Sequence, residues 1–435
     1  MSLRDYLNLP QIKDSTVMVD KPVARHRQAA GLLKALEPAP VRLNTLTGSC
    51  FPVMGNLVCT KAQFADYLGI PVSGIIPAMI HAMENHRPPK VVTDAPCQEV
   101  SLEDPNLEEL PILFHCEGDG GNYISSGVII AGHPRYGQNM DFHRCMQFSP
   151  TEMAVRVVKG RHFDAFLQDL GEVDVAICVG VSPSILIAAA TSVAIGLNEL
   201  EIANVLHPCE VVKARSSNLL VPAEAEFVIE GTIYRDRLLP EGPFVDLTET
   251  QDVVRQQPVM EVKTITHRRD AFWHALLPGG LEHKLLMGMP REPTIFREVS
   301  KVVDCLDVHV NPGGCSWLHA IVQIRKQQDD DGLKAIEAAH KGHTSCKHIF
   351  VVDEDIDIYD PLSVEWAMAT RFQADRDLVM LGRERGSSLD PSAEPETYQT
   401  SKVGFDLTAP LGTRGKPFAK VPFPEVDLEK FVNNL

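Results

Sequence analysis

Between positions 139 and 246, polar side chains stand at wide spacing in an otherwise apolar stretch. They are Asn139 and Arg144 in GQNMDFHRCMQ, His162 in VVKGRHFDAF, Glu199 in IGLNELEIANVL, and Glu241 and Asp246 in LLPEGPFVDLTET. An amide oxygen, an imidazole and a carboxylate form a donor set for a hard or borderline cation such as manganese or magnesium, and no thiolate is positioned to favour zinc. A guanidinium with two carboxylates is a different device. Arg144 can hold one carboxylate ionised while the other, in an apolar pocket, keeps its proton; this separates an acid, Glu241, from its support, Asp246. Taken as a set, the residues describe a cation that anchors a phosphate beside a proton-transfer network. Taken singly, His162 reads as a helix-start histidine and PEG as a solvated turn.

Such a site needs elements to hold it. A chain of 435 residues is too long for one ordinary core and implies two or three domains. With 44% hydrophobic and 23% charged residues, its composition is that of a globular, soluble protein. The net charge of −17 argues against nucleic acid or an anionic membrane surface as partner, so a phosphate ligand would need local positive charge. Ten scattered cysteines without a CxxC fit reduced thiols in a cytoplasmic protein, and MSLRDYLNLP lacks the apolar run of a signal peptide. The stretch 175–197 has no charge and is long enough to span a bilayer, but Gly180, Pro183 and its hydroxyls make it a buried strand followed by a helix that Pro183 opens.

Residues 1–95 read as α/β, with helices in SLRDYLNLP, VARHRQAAGLLKALE, TKAQFADYLGI and IIPAMIHAMENH. Across 96–297, short β-rich runs separated by Gly, Pro and Asp predict a barrel or folded antiparallel sheet, interrupted by helices near His162 and Glu199. From 298 to 435, strands alternate with helices DGLKAIEAAHKG and PLSVEWAMATRFQ, which favours a mostly parallel sheet. The DEDIDIYD run lacks the glycine and terminal glutamate of an EF-hand and reads as a strand end with capping acids. Cys145 reads as a packed thiol.

The Asn-x4-Arg of Asn139 and Arg144, His162 eighteen residues further on, Glu199, NLLVPAEAEFVIEGTI, EGPFVD, and the later VVDEDIDIYDPLSVEWAMATRFQ and SKVGFDLTAP together resemble the UbiD family of prenylated-flavin-dependent decarboxylases. The resemblance implies a mixed α+β fold. It comprises an N-terminal α/β region, a central split β-barrel related to flavin reductases, and a C-terminal α/β domain used in oligomerisation, giving a homodimer or larger. It also implies prenylated FMN, supplied by a prenyl-flavin synthase and bound through its phosphate to Mn2+ or Mg2+ with K+ nearby. Asn139, His162 and Glu199 would be the metal ligands, Arg144, Glu241 and Asp246 the catalytic network, and Lys402 a contact to the cofactor phosphate. The expected activity is reversible non-oxidative decarboxylation of an aromatic, heteroaromatic or α,β-unsaturated acid. The competing expectation is a non-catalytic flavin- or metal-binding subunit of a larger complex.

Overall fold

The computed structural model describes residues 1–102 and 104–412, and, beyond them, 418, 420, 421 and 423–427. The end of the C-terminal region expected to reach 435 lies outside the described residues. The centre is an antiparallel sheet of nine strands. Across it lie, in order, Gly137–Phe142, Val128–His133, Glu172–Val179, Phe227–Glu241, Arg255–His267, Glu152–Val155, Cys145–Gln147 and Tyr123–Ile124, with Val100–Leu102 added beside Arg255–His267. Runs of Val and Ile bury the middle strands on both faces, as in the register Ile177↔Ile229 and Ile229↔Ile265. Phe227–Glu241 spans 15 residues, and register shifts at Glu230/Gly231 and Tyr234/Leu238 bend it against its partner. The sheet does not close. Among the described residues no pairing joins Gly137–Phe142 to Tyr123–Ile124, so the fold is mixed α+β with an open central sheet where the resemblance implied a barrel.

The first 95 residues pack into this centre. Val17–Val19, Val41–Leu43 and Val53–Gly55 form a sheet completed by Trp273–His274, and Lys90–Val92 pairs with Glu210–Lys213. Two hydrophobic cores therefore mix residues from both regions, one joining Tyr6 and Phe64 to Leu186 and Leu200, the other Leu33 and Val53 to Ile177 and Trp273. The four helices expected there lie at Leu3–Leu7, Gln28–Leu36, Lys61–Leu68 and Ile75–Glu84, with a further one at Pro10–Ser15; Ser2 and Thr60 open Leu3–Leu7 and Lys61–Leu68 with capping boxes. Val175–Val179 is buried strand, and Pro183 is the first residue of the buried helix Pro183–Ala189. Among the described residues no helix is long and apolar enough to cross a membrane.

The C-terminal sheet runs Cys305–His309, His319–Ile324, His348–Asp353, Gln399–Asp406, Leu378–Arg385. Its helices Asp331–Gly342 and Pro361–Arg371 serve two separate apolar clusters. Only the two inner pairings are parallel, a correction to the mostly parallel sheet expected. The outer strands turn back through 310–318 and 386–398, segments with no crossover helix, and must return antiparallel. Asp353 and Asp355 hold Arg371 while Asp360 caps Pro361–Arg371, so the acidic run does cap and pin the strand end.

Candidate active site

Arg144 immediately precedes the strand Cys145–Gln147, and Glu241 ends the longest strand, opposite Arg255. The chain then turns at Gly242, whose φ of +102° favours glycine, and forms a short hairpin of Phe244–Val245 with Gln251–Asp252. This hairpin brings three carboxylates to one guanidinium. Arg144 donates from Nε and Nη2 to Glu241 (2.8 and 3.2 Å), from Nη1 to Asp246 (2.8 Å) and from Nη2 to Asp252 (2.9 Å). The Phe244 ring lies 4.6 Å from the guanidinium carbon. Glu241 is fully buried and also accepts from the Tyr123 hydroxyl at 3.1 Å. Burial raises the Asp252 pKa, but Arg255 at 2.5 Å and Arg144 outweigh it and hold the carboxyl below its usual range.

His283, on the helix Leu281–Gly288, accepts at Nδ1 from the Gly279 amide (3.0 Å), leaving its proton on Nε2. Burial lowers its pKa, while the charges of Asp246 and Arg144 act on it in opposite senses. His143, the neighbour of Arg144, faces elsewhere. Its Nδ1 donates to the Arg156 carbonyl (2.9 Å) and its Nε2 meets Asp141 at 2.7 Å. Cys145 is a buried thiol donating to the His143 carbonyl, and burial pushes its pKa up, as expected of a packed side chain.

The other half of the site joins an edge strand to a helix start. Glu199 opens Glu199–Leu206, and accepts from Asn139 Nδ2 (2.9 Å) and the Met140 amide (2.7 Å). Burial pushes the Glu199 pKa up to about 8 against those hydrogen bonds. Among the described residues, Asn139 Oδ1 is buried without a partner. An orphaned amide oxygen beside a carboxyl group whose ionisation burial opposes is a fit for a hard cation, which would satisfy the first and favour the charge on the second.

His162 is the first residue of the helix His162–Leu170 and is half-buried; among the described residues its ring has no hydrogen bond or ion pair. The structure thus unites Asn139 with Glu199, and among the described residues no hydrogen bond joins the His162 ring to either of them. No group of three or more His, Cys, Asp or Glu able to hold a metal exists among the described residues. Lys402, in Gln399–Asp406, is buried, donates to the Thr344 carbonyl and lies 3.4 Å from Glu384, without an interaction to Asn139, Glu199 or Arg144. Sequence reasoning missed Asp252, Tyr123 and Phe244. The signal for Asp252 was the hairpin itself, since DLTETQD places two acids on either side of a polar turn.

Residues 90–281 match the family model described as the 3-octaprenyl-4-hydroxybenzoate carboxy-lyase Rift-related domain, and 284–407 match the corresponding C-terminal domain. Over 95% of its length the chain is 41% identical to the anhydromevalonate phosphate decarboxylase of Methanothermobacter thermautotrophicus, covering 98% of that protein. It is 37% identical to the enzyme of the same name from Methanocaldococcus jannaschii, over 97% of this chain and 100% of that one. Among solved structures, the UbiD-class enzyme HmfF from Pelotomaculum thermopropionicum in complex with FMN superposes with a TM-score of 0.95 at 33% identity, over 99% of this chain and 100% of that one. An evolved dimeric form of that enzyme in complex with prFMN gives 0.91 at 32% identity, over 99% and 100%.

Proposed function

The chain belongs to the UbiD family and is a carboxy-lyase, and from that we propose that it removes CO2, reversibly and without net oxidation, from an α,β-unsaturated acid that carries a phosphate. Of the acid classes the resemblance allowed, this one is favoured by relatives named for a phosphorylated acid. The observation that carries the reading is Arg144 holding three carboxylates, one of them the fully buried Glu241.

Prenylated FMN, when bound, supplies the electron sink that loss of CO2 from an sp2 carbon demands and that no side chain offers. Asn139 Oδ1 and Glu199, joined by His162, would hold Mn2+ or Mg2+ against its phosphate, with K+ nearby. The rest of the chemistry belongs to the chain. Glu241 delivers the proton to the carbon that CO2 leaves, and the bidentate contact of Arg144 stabilises the carboxylate that remains. As it stands, Glu241 accepts three hydrogen bonds, the arrangement of its anion, so between turnovers it must take up from solvent the proton that it then delivers to carbon. Asp246 and Asp252 orient Arg144, Tyr123 fixes the carboxyl plane, and burial of Glu241 excludes water. The protein is proposed to work in the cytoplasm as a homodimer or larger, loaded by a prenyl-flavin synthase.

The test is co-expression with a prenyl-flavin synthase, followed by absorption and mass spectra of the released small molecules, metal analysis, and CO2 release from a phosphorylated unsaturated acid. Prenylated FMN, about one manganese per chain and CO2 release are expected. Flavin-loaded, folded protein that releases CO2 from no acid would leave the non-catalytic subunit as the reading.

A further inference from the structure

Arg144 has little left to offer a substrate. Its hydrogen bonds to Glu241, Asp246 and Asp252 engage all three guanidinium nitrogens. Arg255 is committed as well, with Asp252 at 2.5 Å. Three carboxylates against these two guanidinium groups leave an excess of negative charge when all are ionised. The proposed substrate is itself an anion, and a further cation on the same face would offset that repulsion.

The strand pairing supplies one. Cys145–Gln147 pairs with Glu152–Val155 in the antiparallel register Cys145↔Val155, and just beyond it the Arg156 amide donates to the Arg144 carbonyl at 3.0 Å. Arg156 thus stands opposite Arg144, and opposed residues project to one face. Packing identifies the face. Ala154, two residues before Arg156, packs with Tyr123, Met146 and Phe244, whereas Met153, Val155 and Val157 belong to the larger core on the other side. By alternation Arg156 shares the face of Tyr123, which bonds Glu241, and of Phe244, which lies against Arg144.

The Arg156 backbone is pinned by His143, whose Nδ1 donates to its carbonyl at 2.9 Å. Its guanidinium is not. Nη1 donates to the Val157 carbonyl (2.9 Å), and among the described residues no carboxylate pairs with it. Burial, with the charges of Arg255 and Arg144, holds its pKa below the usual arginine value against Asp252 and Glu241. The residue is only half-buried, so, unlike Glu241, it remains open to a ligand arriving from solvent.

We propose that Arg156 binds an oxyanion of the acid substrate, beside an Arg144 that its own carboxylates already occupy. This rests on the decarboxylase reading above. Guanidinium forks match carboxylate and phosphate oxygens alike, and the experiment separates the two ends of the substrate from each other and from the phosphate of the flavin.

Arg156→Met and Arg156→Lys are compared with the wild type, all flavin-loaded, on a phosphorylated unsaturated acid and on its unphosphorylated alcohol. Binding of the saturated analogue of each acid, which lacks the sp2 carbon, is measured by calorimetry. KM for the phosphorylated acid is expected to rise at least ~30-fold in Arg156→Met, the loss of a charge-assisted contact, and less in Arg156→Lys, which keeps the charge without the fork. Binding of its saturated analogue weakens in parallel, kcat changes little, and flavin content stays at the wild-type level. A rise confined to the phosphorylated acid assigns Arg156 to the phosphate; equal rises for both acids assign it to the carboxylate. Unchanged KM and unchanged analogue binding overturn the proposal. So does a fall in kcat alone, which makes Arg156 a support of Arg144, and so does loss of flavin, which gives it to the cofactor. If Arg156→Met fails to fold, the smaller rise in KM of Arg156→Lys carries the test. Wild-type protein that binds an analogue through Arg156 yet releases CO2 from neither acid would fail the decarboxylase reading and keep the anion site.

Discussion

Glu241 and Asp252 touch the same guanidinium but are expected to fail differently. Glu241→Gln keeps the volume and the contact to Tyr123 while removing the transferable proton. Turnover is expected to fall by roughly 10^2 to 10^4-fold with flavin retained, and full activity would refute Glu241 as the acid. Asp252→Asn leaves Arg144 held by Glu241 and Asp246, so a smaller loss of kcat, about tenfold, is expected, because misplacement rather than chemistry is at stake. His143 gives a pH signature. Burial lowers its pKa, but Asp141 and the Arg156 carbonyl outweigh this and raise it above 6.5. A raised histidine stabilises the fold fully below its unfolded pKa and loses that contribution as pH rises through the folded one. Urea midpoints of wild type and His143→Gln should therefore differ most below about pH 6.5 and converge at higher pH; a gap independent of pH would deny that His143 is charged. Arg144, Glu241 and Asp246 were legible because their types imply a network. Asp252 was not, because only a hairpin brings it to Arg144.

At the scale of elements, periodicity and punctuation carried far. The strand and proline-led helix within 175–197 and the helix Asp331–Gly342 stand where their residues put them. Direction and closure were less legible. Parallel pairing was inferred from alternation, yet strand direction depends on whether a crossover helix fits the connection, and those at 310–318 and 386–398 contain none. The turn after Glu241 shows how closely elements constrain the acid. A Cβ on Gly120 would sit 2.1 Å from the Gly242 carbonyl oxygen, while the Gly120 amide bonds the Pro243 carbonyl at 2.8 Å. Gly120→Ala is expected to cost about 1–3 kcal/mol of stability by overpacking and, by displacing the turn, to lower kcat as well. Denaturant midpoints and turnover measured together check this; wild-type values for both would show that the approach of the two loops does not position Glu241.

At the scale of the molecule, the pairing of Trp273–His274 with Val53–Gly55 and of Lys90–Val92 with Glu210–Lys213 could not be read ahead, because partners so distant in sequence leave no local signal. The family resemblance implies self-association through the C-terminal region, and the sheet there ends in a strand whose halves differ. In Leu378–Arg385, Val379 and Leu381 pack on the core. Beyond the register shift at Met380/Gly382, the strand carries exposed Arg383, Glu384 and Arg385, the charges and irregularity that discourage edge pairing. The near half instead exposes Leu378 and Met380, the latter 64% accessible. A second copy of the chain is the occupant that the C-terminal domain's expected role assigns to this edge, and an apolar half beside a charged half would set its register. Light scattering after size exclusion should give a dimer or larger for the wild type, and Met380→Asp should shift the population toward monomer at micromolar concentration by placing a carboxylate in the interface. A wild-type monomer would remove the assembly itself, whereas an oligomer untouched by Met380→Asp would move the interface away from this edge.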